Sequence, residues 1–179
     1  FFSELPKLDK RRCLANIAVY KKYREIFQFG DFYELDSHSD NFKKWQVLSK
    51  DRRTSLVGHF NVLQKSNAPE CHLDTKGLLD NQKYDVEVVK QEIDIREFGS
   101  LINALTPFHV NPNGWLVRLL AKFKTIPGDD YKCQVYGSVL NNSGLVLHPE
   151  WSGNGLNDKV RVMRDFGSRL YIINAHEEN

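Results

Sequence analysis

The sequence lacks most features that mark a cofactor site or a membrane segment in a short chain. Its three cysteines, Cys13, Cys71 and Cys133, stand far apart and unpaired, which argues against a disulfide framework and a zinc knuckle. No apolar run is long enough to span a bilayer. With 25 basic and 23 acidic residues, the net charge of +2 creates no field to gather nucleic acid or anionic lipid. We therefore expect no cofactor, metal, nucleic-acid or membrane partner, and a reducing, cytoplasmic compartment.

The chain does have enough apolar residues for a core. Its 179 residues are 41% hydrophobic, which suits one folded domain of ordinary size or a domain with part of a neighbour. It starts at Phe1 rather than at a methionine. A removed signal peptide or a cut from a longer protein would explain this start, and we expect the cut.

The first thirty residues predict one long helix. Residues 9–28 contain no glycine or proline, and Pro6 stands just upstream, where a helix tolerates it. Apolar and amphipathic residues recur at helical spacing along one face, widened by Leu14 and Ala18: Cys13, Ile17, Tyr20, Arg24, Phe27. Gly30 is expected to end the helix.

After Gly30 the hydrophobic period changes from 3.6 to 2, which predicts short strands. The predicted strands are 32–35, 45–49, 54–63, 72–78, 84–89, 131–136, one through Leu145 and Leu147 after a turn at 137, 160–163, and 170–173. Residues 50–53 read as a hairpin turn, and residues 114–124 as a short helix. The pattern indicates a mainly β fold, an antiparallel β-sandwich of Greek-key type, behind one long α-helix.

Two stretches carry a family resemblance. The first is residues 20–35 (YKKYREIFQFGDFYEL) with 45–51 (WQVLSKD). The second is residues 136–140 (YGSVL), 142–145 (NSGL), 153–158 (GNGLND) and 165–171 (DFGSRLY). The first resembles the segment of glycoside hydrolase family 36 α-galactosidases that joins the last helix of the catalytic barrel to the C-terminal domain. The second is similar to the closing strands of the same family, in its bacterial, intracellular group.

The resemblance implies a domain organisation. Family members have an N-terminal β-sandwich, a (β/α)8 barrel and a small C-terminal β-sandwich. Residues 1–30 would then be the last barrel helix and a linker. Residues 31–179 would be the C-terminal β-sandwich, with a helical insertion near 92–130. The family is retaining, with one Asp as nucleophile and another as acid/base, both in the barrel. No position here matches either motif, so the resemblance implies no catalytic residue in this chain.

The acidic residues themselves point the same way. A retaining glycosidase needs two carboxylates about 5 Å apart in a pocket, one of them with a raised pKa. Most candidates stand in polar turns beside Ser, Asn or Gly: Asp31, Glu34, Asp36, Asp40, Asp129, Asp130, Asp158, Asp165. Solvated turns are the better interpretation.

The histidines form no ligand pattern. No two share an i, i+4 spacing and none pairs with a cysteine at a ligand interval: His38, His59, His72, His109, His148, His176. A Cys–His nucleophile would need a contact made by the fold, which the sequence does not reveal.

The three tryptophans decide between two functions, because exposed rings can stack on sugars. Trp45 opens an alternating strand and is expected in the core, and Trp115 begins an amphipathic helix and is expected to pack. Trp151, between Pro149 and Gly153, is the one candidate for a sugar contact or for a contact with a neighbouring domain. Exposed, coplanar rings would favour a binding module, and buried rings a structural role.

The sequence therefore predicts a non-catalytic C-terminal accessory domain of an α-galactosidase. The parent would hydrolyse terminal α-galactosyl residues of melibiose- and raffinose-type sugars. The domain would brace the barrel of the same polypeptide and could support a homo-oligomer. The alternative is a carbohydrate-binding β-sandwich module. Without the barrel, the N-terminal helix must fold back on its own domain or pair with a second copy, and we expect pairing.

Overall fold

The computed structural model describes residues 2–37, 40–63, 71–96, 103, 107–128, 130–147 and 166–177. A 3-10 turn at Phe2–Glu4 precedes helix α1, Lys7–Lys22, and helix α2, Arg24–Phe29. The single helix predicted for residues 9–28 is thus two helices that meet at Tyr23. Helical hydrogen bonding continues through the break, because the Tyr23 N–H donates to the Val19 carbonyl at 3.1 Å and the Phe27 N–H to the Tyr23 carbonyl at 3.0 Å.

Gly30 ends the helical region, as predicted. Its N–H donates to the Ile26 carbonyl at 2.9 Å, and the next residue begins a strand. A Cβ at this position would lie 2.6 Å from the Ile26 carbonyl oxygen and 2.7 Å from that of Leu48. Glycine is therefore the residue that lets the chain pass this close to its own backbone.

One six-stranded antiparallel sheet dominates the fold, with the order β1-β2-β3-β10-β5-β8. Its strands are β1 Asp31–Leu35, β2 Phe42–Leu48, β3 Thr54–Asn61, β5 Lys83–Val88, β8 Lys132–Tyr136 and β10 Ser168–Ala175. Two short antiparallel pairs accompany it: β4 His72–Leu73 with β9 Leu145–Val146, and β6 Glu92–Asp94 with β7 Thr125–Pro127. The predicted mainly antiparallel β class is confirmed.

The turn between β2 and β3 shows how local polar chemistry sets a hairpin. Asp51 Oδ1 accepts hydrogen bonds from Ser49 Oγ at 2.6 Å and from the Arg53 N–H at 3.0 Å. These two bonds, the Ser49 bond first, lower the pKa of Asp51. Arg52 adopts a positive φ of 59° to close the turn. The hairpin predicted at residues 50–53 is confirmed.

Two segments differ from the sequence prediction. The strand expected over residues 72–78 is limited to His72–Leu73. The turn expected from residue 137 is helix α4, Gly137–Asn142. This helix begins where the Gly137 N–H donates to the Gln82 carbonyl at 2.9 Å, and it buries Leu140 completely. The predicted strand at 160–163 lies outside the described residues.

The two faces of the large sheet are covered differently. One face packs against Leu73 of β4, Leu140 of α4, and Leu145 and Leu147, which gives the sandwich its second layer. That core consists of Leu35, Leu48, Val57, Leu73, Leu78, Tyr84, Val86, Val88, Leu140, Leu147, Tyr171 and Ile173. The opposite face, called here the helix-bearing face, carries α1 and α2 on a smaller cluster formed by Tyr23, Leu56 and Ile172.

The segment between β6 and β7 is an insertion that contains helix α3, Trp115–Phe123. The pairing of β6 with β7 closes the base of the insertion. Arg12 of α1 donates to the Glu92 carbonyl at 2.6 and 3.0 Å, and Arg11 forms an ion pair with the Glu92 carboxylate at 3.0 Å. The base of the insertion is therefore attached to α1. Among the described residues, no helix has the length and apolar character needed to cross a bilayer.

Candidate functional site

The carboxylates considered in the sequence lie at the surface rather than in a pocket. Asp31 forms an ion pair with Lys50, and Asp130 pairs with Lys90 at 3.2 Å, with all four side chains well exposed. Glu34, Asp36 and Asp40 are exposed as well. The other three candidates, Asp129, Asp158 and Asp165, lie outside the described residues. The described candidate carboxylates are thus exposed to solvent, whereas a glycosidase needs a desolvated carboxylic acid.

Two further carboxyl groups have a pKa below the usual range. The pKa of Asp85 falls chiefly because His176 hydrogen-bonds to it, at 2.9 Å, with help from Gln134. The pKa of Asp94 falls because Arg96 hydrogen-bonds to both of its oxygens. A carboxyl group held ionised in this way can accept a proton only at low pH. Neither fits the general acid of a glycosidase, whose pKa must be raised.

The fold does bring one cysteine to one histidine. Cys71 Sγ lies 3.4 Å from His59 Nδ1, a contact that sequence spacing could not reveal. His59 is buried and its ring stands edge-on to Tyr171, with centroids 5.2 Å apart. Cys71 is partly buried against the main core cluster, so the pair resembles a core contact rather than an activated nucleophile. Among the described residues, no three His, Cys, Asp or Glu side chains converge as metal ligands would.

An aromatic row crosses the helix-bearing face. Tyr20 stacks on Phe27 at 5.7 Å between centroids, Phe27 meets Trp45 edge-on at 6.3 Å, and Trp45 lies 6.1 Å from Phe60. The Trp45 ring covers Gly58, where a Cβ would lie only 2.5 Å from it. Trp45, predicted to lie in the core, is partly buried and packs at the edge of the smaller cluster. The row fixes the C-terminal part of the helical region on β2 and β3.

The other side of α1 is apolar but uncovered. Val19 and Tyr23 pack toward the sheet. Val19 follows Leu14 by five positions, a rotation of roughly 140° around the helix, so Leu14 faces away from the sheet. Leu14 is 55% exposed and Ile17 45% exposed. The helical region folds back on its own sheet, which is one of the two outcomes expected for α1, and it leaves a second stripe exposed. The pairing of α1 with a second copy stays a prediction.

Helix α3 of the insertion also presents apolar residues to solvent. Trp115, predicted to pack, is instead 76% exposed. The helical periodicity correctly grouped the apolar residues of α3, but it could not say which side of the helix would face the body of the domain. Val117 faces inward and is buried. The remaining candidate, Trp151, lies outside the described residues.

Two open clefts lie on the surface of the domain. One, of about 470 Å³, lies beside Arg96, Arg118 and Lys122 in the insertion. The other, of about 530 Å³, lies along β5 and β8 and is bordered by polar residues that include Asp85 and Gln134. The described residues that line them include no aromatic ring. A sugar site usually combines such a ring with polar groups, so neither cleft has the expected composition.

Comparison with known proteins agrees with the fold. A family model described as the glycosyl hydrolase family 36 C-terminal domain matches residues 43–173. The α-galactosidase AgaA of Geobacillus stearothermophilus is 40% identical over 86 residues, which cover 48% of this chain and 12% of that protein.

Solved structures extend the likeness to the whole chain. The α-galactosidase of Lactobacillus brevis matches with a TM-score of 0.63 at 24% identity, over 100% of this chain and 18% of that one. A variant of the Geobacillus stearothermophilus family 36 α-galactosidase AgaA, solved in complex with raffinose, matches with a TM-score of 0.61 at 24% identity, over 97% and 17%. At this identity the likeness shows the fold. The chain spans less than a fifth of the length of these relatives.

Proposed function

Since the chain belongs to the family of glycosyl hydrolase family 36 C-terminal domains, we propose that it is the non-catalytic accessory domain of an α-galactosidase. In this proposal residues 1–30 are the last barrel helix and its linker, and the helix-bearing face braces the barrel. The parent enzyme removes terminal α-galactosyl residues from sugars of the melibiose and raffinose type. The support for the substrate class is that the relatives are α-galactosidases and that one of them was solved with raffinose.

The observation that carries the proposal is the free stripe on α1. Leu14 and Ile17 are about half exposed on a helix that is held firmly, by the aromatic row at one end and by the bonds from Arg12 to Glu92 near the other. An apolar stripe on a fixed helix fits contact with another protein surface. Because the matched family is a C-terminal domain, we assign the preceding barrel as that surface.

The non-catalytic role is supported by the placement of the acidic groups. Among the candidates in the described part of the chain, each carboxylate is solvated at the surface, and Asp31 and Asp130 are already paired with lysines. The barrel strand ends, which supply both acids in the family resemblance, are not part of the matched segment. We therefore expect the 179-residue chain to release no nitrophenol from an aryl α-galactoside. Turnover that a carboxylate substitution in this chain abolishes would refute the proposal.

The bracing role is tested in the parent enzyme with two adjacent substitutions. Ile17→Glu places a charge in the free stripe, whereas Asn16→Glu adds the same charge at an exposed position outside it. We expect Ile17→Glu to lower the Tm of the parent by several degrees and Asn16→Glu to leave it nearly unchanged. Equal effects of the two variants would mean that the stripe contacts nothing.

The alternative, a carbohydrate-binding module, has one observation in its favour, the exposed Trp115 ring. Its neighbours on that side of α3 are Leu116 and Leu119, which offer a sugar no hydrogen bonds. We therefore expect calorimetry to detect no saturable binding of raffinose below about a millimolar. Tighter binding that is lost on Trp115→Ala or Trp151→Ala would favour the module.

The proposal also covers the cellular compartment and the oligomeric assembly of the parent enzyme. Cys13, Cys71 and Cys133 form no disulfide, as is usual in a reducing compartment, so we assign the parent to the cytoplasm. We also propose that the parent is a homo-oligomer in which this domain takes part. The support for association is the apolar surface that remains exposed after the core has closed.

A further inference from the structure

Helix α3 is amphipathic, but its apolar side faces solvent rather than the body of the domain. Five apolar residues of its nine fall within an arc of about 140° and are all exposed: Trp115 at 76%, Leu116 at 46%, Leu119 at 44%, Leu120 at 39% and Phe123 at 80%. These five residues are called the α3 face. A surface helix normally turns such a stripe toward the core. Here only Val117 is buried, on the other side of the helix.

The C-terminal end of α3 is anchored to the body of the domain. The Lys124 N–H donates to the Leu120 carbonyl at 2.8 Å, and β7 begins at the next residue, Thr125. Pairing of β7 with β6 fixes the end of the helix, and Arg12 bonds β6 to α1 through Glu92. A fixed apolar surface of this kind keeps one shape for a partner to match, which lowers the entropy cost of binding.

The distribution of residues along α3 is self-complementary. Leu119 is the middle residue of the helix, and Trp115 and Phe123 stand four residues to either side of it, each about 6 Å along the axis. If two copies of α3 cross antiparallel with Leu119 on a two-fold axis, each Trp115 meets the partner's Phe123. A two-fold interface requires this reciprocity, in which one residue contacts another and is contacted by it in return.

The charges and the area agree with such a pair. Arg118 and Lys122 lie beside the α3 face rather than within it and border the cleft with Arg96, so the face itself carries no charged side chain. The exposed parts of the five side chains amount to roughly 500 Å² per copy, from typical side-chain areas. Two copies then bury about 1,000 Å², which is below the roughly 1,200–2,000 Å² of stable interfaces and in the range of weak, transient ones.

We infer that the α3 face is the surface through which two copies of this domain associate, as an antiparallel helix pair centred on Leu119. The inference rests on the subunit association proposed above and names its surface. It also moves the pairing that the sequence suggested for α1 to a different helix, since α1 packs on its own sheet and has its free stripe assigned to the barrel. The expected dissociation constant is micromolar, because the interface is small.

Sedimentation of the 179-residue chain gives the first test. We expect a dimer at about 100 µM and monomer in the low micromolar range. Leu119→Glu should abolish the dimer, since it places two like charges on the two-fold axis. Lys122→Glu, which adds the same side chain outside the α3 face, and Ile17→Glu, in the α1 stripe, should both keep it. A monomeric wild-type chain, or a dimer that Leu119→Glu leaves intact while Ile17→Glu breaks it, would overturn the inference.

Disulfide trapping tests the geometry without depending on a destabilised variant. In a Cys13→Ser background, Trp115→Cys and Phe123→Cys chains are mixed and oxidised. The antiparallel pair places residue 115 near the partner's 123, whereas two copies of residue 115 lie more than about 12 Å apart along the axis, beyond the reach of a disulfide. We expect the mixed dimer to form in clear excess over the 115–115 species. Equal trapping of both species, or none, would contradict the antiparallel pair. A negative trapping result does not affect the barrel-bracing proposal, because that proposal is tested separately by the Tm of the parent enzyme carrying Ile17→Glu.

Discussion

The two faces of the large sheet differ in how completely the chain covers them. The face toward β4, β9 and α4 is closed, and residues such as Tyr84, Tyr171 and Ile173 are buried to 1% exposure or less. The helix-bearing face is covered by α1 and α2, and the outer side of α1 leaves Leu14 and Ile17 about half exposed. The first face supplies the buried core that stabilises the domain. The exposed stripe above the second face is the reason for our proposal that α1 contacts another protein surface.

The contrast between the two faces predicts that truncating an isoleucine on each side will lower the free energy of unfolding by different amounts. Ile173→Ala removes a fully buried side chain from the closed core and should lower the free energy of unfolding by about 2–5 kcal/mol. Ile17→Ala removes the same atoms from the half-exposed stripe and should cost less than about 1 kcal/mol in the isolated chain. Urea denaturation followed by circular dichroism measures both. Similar losses would mean that α1 is buried in solution and that the helix-bearing face is closed as well.

The helix-bearing face has one position where close packing is strict. Gly58→Ala places a methyl group 2.5 Å from the Trp45 ring, so the ring must move. We expect a loss of about 1–3 kcal/mol in unfolding free energy, together with a change in tryptophan fluorescence. If the loss disappears in a Trp45→Ala background, the clash is the cause. A loss that persists there would place the strain in the backbone of β3 instead.

The insertion should respond to pH through Asp94. Because Arg96 holds the pKa of the folded carboxyl below its unfolded value, its stabilisation is present above an unfolded pKa of about 3.9 and is lost as pH falls through the lower folded pKa. Asp94→Asn should therefore cost about 1–2 kcal/mol at pH 7 and much less near pH 2. Stability curves against pH for both proteins test this. A cost independent of pH would show that the pair with Arg96 contributes little.

The aromatic row gives the smallest expected effect. Phe27 and Trp45 meet edge-on, a contact worth about 0.5–1.5 kcal/mol beyond its buried area. A double-mutant cycle with Phe27→Leu and Trp45→Leu should return a coupling energy in that range. A coupling near zero would mean that the row holds α2 by burial alone and that ring geometry adds nothing.

Sequence reasoning succeeded where a pattern is local. The period of two in hydrophobicity located the long strands. Gly30 marked the end of the helices, because the lack of space for a side chain there comes from the nearby backbone of Ile26 and of Leu48 in β2. The same reasoning missed α4, since the burial of Leu140 that stabilises it depends on β4 and the sheet. It also could not orient α3. Helical spacing groups Trp115 with its neighbours but carries no information on which side meets the body of the domain.

The candidate site shows the same division. The family resemblance led directly to the prediction that the chain holds no catalytic acid, because motifs are local strings, and this stays a prediction. The contact between Cys71 and His59 and the row from Tyr20 to Phe60 join residues far apart in sequence, and only the sheet register brings them together. The exposed stripes on α1 and α3 are likewise properties of the folded domain.

The central claim is that α1 contacts the barrel in the parent enzyme. Hydrogen exchange tests this claim most directly, because it compares α1 in the isolated chain and in the parent. Deuterium uptake is measured for peptides from the N-terminal half of α1, around Leu14 and Ile17, in the isolated chain and in the parent α-galactosidase, with peptides of β10 as the internal reference. If the helix-bearing face braces the barrel, uptake by α1 falls markedly in the parent while uptake by β10 stays the same. Equal uptake by α1 in the two proteins would contradict the account.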